Sequence, residues 1–203
     1  PAKKLMGLDL NPGNGQTPLE EDEKEGLLIS TIATREELDE FEQQNIEEAI
    51  QWLFTKSLKA ETVLTEKFIC NLHKRMYGGV WAWAGKFRKT NKNLGIDKWQ
   101  IPVALKMLCD DTIFWITNNT YSPEEIAIRF KHRIVSIHCF PNGNGRHSRL
   151  MADIIIDKIY NLPLFSWGTG DLEYQGDIRS AYLKAIKEAD NEQFESLISF
   201  ARS

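Results

Sequence analysis

The 203-residue chain is short of several things, and each shortage narrows what it can be. Its three cysteines, Cys70, Cys109 and Cys139, lack the paired spacing of a metal site, and an odd number cannot all pair. Reduced thiols are expected, and with them a cytoplasmic location. No apolar run approaches the roughly 20 residues of a membrane-spanning helix, and the first residues do not read as a signal peptide. Lys and Arg (25) do not outnumber Asp and Glu (29), so the net charge is −4 and there is no basic footprint for nucleic acid. The chain is therefore expected to engage neither membrane nor nucleic acid. It has no internal repeat.

What is present suits one domain, since 42% of the residues are hydrophobic and can fill a core. Residues 1–26 are set apart, with a Gly/Pro-rich stretch at Asn11–Gly15 and an acidic one at Glu20–Glu25. They read as an N-terminal arm with a solvated acidic surface, leaving 27–203 as the domain. Most of the remainder has helical periodicity. Thr34 and Glu37 form a capping box for a helix to about Phe54, with Leu38, Phe41, Ile46, Ile50 and Leu53 on its apolar face. Thr65 starts another to about Tyr77, Pro102 another to about Thr117, and Ile178–Ala189 and Asn191–Ala201 close the chain.

The informative stretch joins two helices. The first has Ser122 as N-cap and Pro123 at its first position, and ends near His138; the second runs from Arg146 to Tyr160 and is stopped by Asn161-Leu162-Pro163. Between them lies His138-Cys139-Phe140-Pro141-Asn142-Gly143-Asn144-Gly145. A Gly-Asn-Gly turn that opens a helix presents free N–H groups and the positive end of the helix dipole to an anion. Arg146 and Arg149 share one face of the first helical turn, where cations oppose the dipole unless an anion binds there. His138 titrates near neutrality and can take a proton from a hydroxyl nucleophile. A base, a phosphate cradle and fixed positive charge together suit transfer of part of a nucleotide.

His138, Phe140, Gly143, Asn144, Gly145, Arg146 and Arg149 match the signature of the Fic (Fic/Doc) family, which this chain resembles from about Leu27 onward. The resemblance implies a mainly α, Fic-type helical bundle with a short β-hairpin flap over the active site. It implies transfer of AMP from ATP to a Ser, Thr or Tyr hydroxyl of a target protein, with release of pyrophosphate. His138 would be the general base. Gly143, Asn144, Gly145 and Arg146 would hold the α- and β-phosphates, and Arg149 the γ-phosphate. Asn142 stands where the family has an acid that helps hold Mg²⁺; it offers a neutral oxygen to a hard cation but no charge. Cys139 replaces a proline.

Trp83-Ala84-Gly85-Lys86-Phe87-Arg88 resembles the segment leading into the flap. The flap would be Thr90–Gln100, with a turn at Asn93-Leu94-Gly95 and a strand from Ile96, and a target protein would dock there by strand addition. The overall pattern is similar to the small bacterial subgroup called mobile mystery protein B. Relatives often carry an inhibitory glutamate that pairs with the second arginine. No clean copy of that motif exists here; Glu42 is the loose candidate, with Arg149 as its expected partner, and a separate antitoxin-like chain is the other route to regulation. A Doc-like kinase reaction and a nucleotide-binding protein with little turnover are the alternative functions.

Overall fold

The structure, a computed structural model, describes residues 21–169 and 177–203. It is mainly α, as expected. The helices are α1 (Glu21–Lys24), α2 (Arg35–Phe54), α3 (Ala60–Val63), α4 (Glu66–Tyr77), α5 (Ile101–Asn118), α6 (Pro123–Ile137), α7 (Asn144–Ile154), α8 (Asp177–Ala189) and α9 (Glu195–Arg202). Helix α6 lies at the centre, against α5 on one side and α7 on the other, while α2 packs on α4 and α8 on α9. Phe130 and Ile134 of α6, Leu72 and Met76 of α4, Leu105 and Leu108 of α5, and Met151 of α7 are buried in the shared core.

The helix starts follow local chemistry. The Thr34 side chain accepts the Glu37 N–H at 3.2 Å, and the Glu37 carboxylate accepts the Thr34 N–H at 3.1 Å, a complete capping box. Thr65 accepts the Phe68 N–H, and Ser122 the Glu125 N–H. Helix α7 continues through a wider π turn at Ile155–Ile159, so the expected run from Arg146 to Tyr160 is present with a change of pitch near its end. The last helix starts at Glu195, later than the expected Asn191, because Glu192 takes φ 61° in the turn before it.

Two expectations are corrected. The buried face of α2 is Leu38, Glu42, Ile46, Ala49 and Leu53; Phe41 points outward, 38% exposed. The periodicity runs through a glutamate, for a reason that the cleft supplies. Nor does the segment from Thr90 to Gln100 form a β-hairpin, since the only β pairing among the described residues is an isolated Leu27–Trp81 bridge. Side chains take the backbone groups that a second strand would pair. Arg88 donates to the Thr90 and Ile96 carbonyls, the Asn91 side-chain oxygen accepts the Lys98 N–H, and Asp97 accepts the Trp99 N–H. Lys98–Gln100 wind into a 3-10 turn that runs directly into α5.

Residues 1–20 lie outside the described residues, and with them most of the expected arm and the Asn11–Gly15 stretch. At its described end the acidic run is not wholly solvated. Glu23 is buried, its carboxylate pairs with Lys92 at 2.5 Å, and its carbonyl accepts the Trp83 indole N–H at 3.0 Å.

Candidate active site

The turn between α6 and α7 is built on a buried aromatic stack. Phe140 is fully buried and its ring lies 3.7 Å from that of His73, nearly parallel. The Nδ1 of His73 accepts the Gly85 N–H at 3.0 Å, so the hydrogen of a neutral ring sits on Nε2 and is donated to the Asn142 carbonyl, also at 3.0 Å. Burial and the neighbouring His147 hold the His73 ring well below the usual histidine range, which keeps it neutral. His73 therefore supports the loop from beneath. His147 does the same from α7, bonding the Ile69 carbonyl at 3.1 Å.

Asn144 clamps the turn. Its side-chain oxygen accepts the Phe140 N–H at 3.0 Å and its amide donates to the Phe140 carbonyl at 2.8 Å. With its side chain committed inward, Asn144 can offer an anion only its backbone N–H. Gly143 has φ 75° and caps α7 without any side chain, so the first N–H groups of the helix face outward without an intrahelical acceptor. A Cβ on Gly143 would lie 2.5 Å from the Tyr77 ring, whereas one on Gly145 would meet only the Arg149 guanidinium at 3.9 Å. Gly143→Ala is therefore expected to cost about 2–4 kcal/mol, from left-handed strain and overpacking together. Gly145→Ala should leave stability within about 1 kcal/mol. Urea melts of both variants check this; equal melts would mean that the Tyr77 contact does not set the turn.

His138 ends α6 in a left-handed conformation, φ 57° and ψ 62°, which turns its ring out of the helix and into a cleft of about 570 Å³. A ring bond to the Val135 carbonyl orients it. Burial first, then the charges of Arg88 and Lys92, push its pKa down to about 4, so at neutral pH the imidazole is the free base. The same cleft is lined by Asn142, Gly143, Asn144, Gly145, Arg146 and Arg149. The structure thus brings the expected base, turn and arginines together. Leu94 and Gly95 of the 90–97 loop form part of its rim, and the Ile96 N–H points at the Ile137 carbonyl at 3.5 Å; Asn93 is exposed and is not among the lining residues.

Glu42 is not on a solvated face. Buried to 4% exposure, it accepts the Trp81 indole N–H at 2.6 Å and forms an ion pair with Arg146. Its partner is the first arginine, not Arg149 as expected, because the α2 register aims it across Trp81 at the start of α7. The Arg146 guanidinium also lies 5.2 Å from the Tyr77 ring. Arg149 stands beside Tyr182, whose phenol burial raises but the charges of Lys131 and Arg149 lower further, for a net fall below the usual tyrosine value.

Several residues were missed from sequence. Arg35 and Arg179 also line the cleft, and Leu183 and Ile186 form an apolar wall beside Tyr182. Lys131 is fully buried with its ammonium 4.6 Å from the Tyr182 ring. Arg88 donates from Nε to the His138 carbonyl at 2.6 Å, and its own N–H bonds the Cys139 carbonyl at 3.0 Å.

The donor set does not fit a protein-held Mg²⁺. The Asn142 side-chain oxygen accepts the Gly143 N–H at 2.6 Å, and among the described residues no group of three or more His, Cys, Asp or Glu side chains is placed to hold a metal.

The buried histidines predict acid sensitivity. His138 and His147 both have pKa values of about 4 in the folded chain, against about 6.5 when unfolded. Between these values the unfolded state binds more protons, so stability is complete above about pH 6.5 and falls as the pH drops toward 4. Each histidine contributes about 3 kcal/mol to that fall. Asp153 opposes them, because burial raises its carboxyl to about 7 and it keeps a proton that the unfolded chain releases. The net expectation is a loss of about 3 kcal/mol or more from pH 6.5 to 4, with His73 adding to it. Denaturant melts across that range measure it, and a flat profile would contradict the buried, neutral histidines.

Comparison with known proteins agrees with this geometry. Residues 63–156 match the model of the Fic/DOC family. A similar curated protein is the protein adenylyltransferase Fic of Drosophila grimshawi, 32% identical over 104 residues that make up 49% of this chain and 22% of that protein. The chain thus spans about a fifth of that relative's length. Among solved structures, the N-terminal FIC domain of Bep8, an effector of Bartonella sp. 1-1C, aligns with a TM-score of 0.62 at 16% identity, covering 85% of this chain and 88% of that one. The effector BepC of Bartonella tribocorum, solved with bound AMPPNP, aligns at 0.59 with 18% identity over 94% and 93%. Fic-1 from C. elegans aligns at 0.60 with 20% identity over 78% and 45%. These likenesses show that the helical fold is the Fic fold. No helix among the described residues is long and apolar enough to cross a membrane.

Proposed function

We propose that the protein is a transferase that moves AMP from ATP to a hydroxyl side chain of a target protein. The observation that carries the reading is the convergence of a neutral His138 and the open N-terminus of α7, flanked by Arg146 and Arg149, on one cleft. The likeness to an adenylyltransferase supports it further. The N–H groups of Gly145 and its neighbours cradle phosphate oxygens, and the two arginines neutralise their charge. His138 takes the proton of the target hydroxyl as its oxygen attacks the α-phosphorus. A new P–O bond forms to the target, the bond between the α-phosphorus and the bridging oxygen breaks, and pyrophosphate leaves with the electron pair. The target Ser, Thr or Tyr approaches over the rim at Leu94, Gly95 and Ile96, which contacts it through loop rather than strand. ATP is the substrate, and a separate antitoxin-like chain is a candidate regulator.

The test uses ATP labelled at either the α- or the γ-phosphorus, incubated with the full chain and a cell lysate. Label transferred from the α-position alone supports AMP transfer. Transfer from the γ-position alone means a kinase reaction, and transfer from neither, with ATP bound, means a nucleotide-binding protein.

A further inference from the structure

Helix α5 is apolar on two faces. Ile101, Leu105, Leu108 and Thr112 point into the core. On the opposite side Val103 is 64% exposed, Met107 53% and Phe114 59%, and Trp99 in the preceding 3-10 turn is 80% exposed. Val103, Met107, Asp110 and Phe114 are separated by four, three and four residues, the spacing of a helix–helix seam. Nothing in the cleft uses this face, since none of its lining residues comes from α5.

We infer that this face is the interface of a two-fold homodimer in which α5 packs antiparallel against α5 of a second copy. Three observations select a second copy as the occupant. The first is symmetry: the seam is its own complement about a midpoint between Leu108 and Cys109. A two-fold axis there sets the small Val103 against the large Phe114, and Met107 against Asp110, of the second copy, each twice, and carries Trp99 to the far end of the opposing helix at Asn118.

The second is charge. The seam residue Asp110 pairs with Lys106 on its flank, 2.5 Å apart and both exposed. The same two-fold axis brings Lys106 beside Asp110 of the second copy. The contact is therefore attractive in the antiparallel arrangement, whereas a parallel one stacks like on like.

The third is area. With aromatic side chains each offering roughly 150–250 Å², the four exposed residues leave on the order of 500 Å² of apolar surface open. That is more than half of the ~800 Å² per partner of a standard interface. The side chains between them along α5 supply the remainder.

The experiment is sedimentation of the full chain at micromolar concentrations. The expected species has twice the 23.4 kDa chain mass. Met107→Glu acts twice across the axis and should raise the dissociation constant by about a hundredfold or more. Its unchanged melting temperature at low concentration would show that the monomer is intact. Lys106→Glu and Asp110→Lys should each weaken the dimer alone. Mixing these two variants should restore it, because each then meets the opposite charge. A wild-type monomer at high micromolar concentration overturns the proposal, as does a dimer that survives Met107→Glu or a mixture no tighter than its components.

Discussion

His138→Ala loses transfer by about a hundred- to ten-thousand-fold while ATP affinity stays nearly unchanged. The expectation follows from the division of labour in the cleft. In the proposed reaction the α7 N–H groups and two arginines would hold the nucleotide without the imidazole, whereas the hydroxyl proton would have no other neutral base at the turn. His73 and His147 cannot substitute, because both rings are buried and bonded to backbone. His138 sits at φ 57°, so alanine adds backbone strain. His138→Asn is the better second variant, since asparagine tolerates that conformation. Single-turnover rates with labelled ATP, set beside equilibrium binding, measure both quantities. Turnover near wild type in the asparagine variant would remove His138 from the chemistry.

Glu42→Ala is the most damaging stability change expected at the site. The carboxylate is buried between Trp81 and Arg146, and removing it breaks a charge pair with the guanidinium in a partly dry setting. Breaking such a pair costs about 3–5 kcal/mol. In a chain of this size that lowers the melting temperature by about 6–20 °C. A phosphate can replace the lost carboxylate, so ATP should raise the melting temperature more in the variant than in the wild type. Thermal melts with and without ATP decide it. An unchanged melting temperature, or the same ATP-induced rise in both proteins, would show that Glu42 does not restrain Arg146. The geometry moves any regulatory role of Glu42 from Arg149 to the first arginine.

The helices were legible where their signals are local. Thr34 with Glu37, Thr65, and Ser122 with Pro123 mark starts by hydrogen bonds made within four residues, and apolar spacing marks the buried faces. The Gly143–Gly145 turn was legible for the same reason. What the sequence hid is non-local. Arg146 finds Glu42 at a separation of 104 residues, and no window that reads periodicity can see it. Glu42 occupies a core position of α2, so the pattern was completed with Phe41 instead. The 90–97 loop misled differently. Its turn residues and a β-branched Ile96 suit a hairpin, but Arg88, Asn91 and Asp97 compete for the same backbone groups and win. Asn144 and Asn142 have the right chemistry for a ligand, and both spend it on holding the turn.

Arg88 joins two things that are usually separate. One guanidinium grips the carbonyls of Thr90 and Ile96 at the mouth of the cleft and the carbonyl of His138 at its base. The rim and His138 therefore share an anchor. If His138 takes the proton as proposed, a partner that levers the rim outward would drag on it, so binding at the mouth would silence the reaction without occupying the nucleotide's place. Conversely, a target that seated well on the rim would tighten His138 into position.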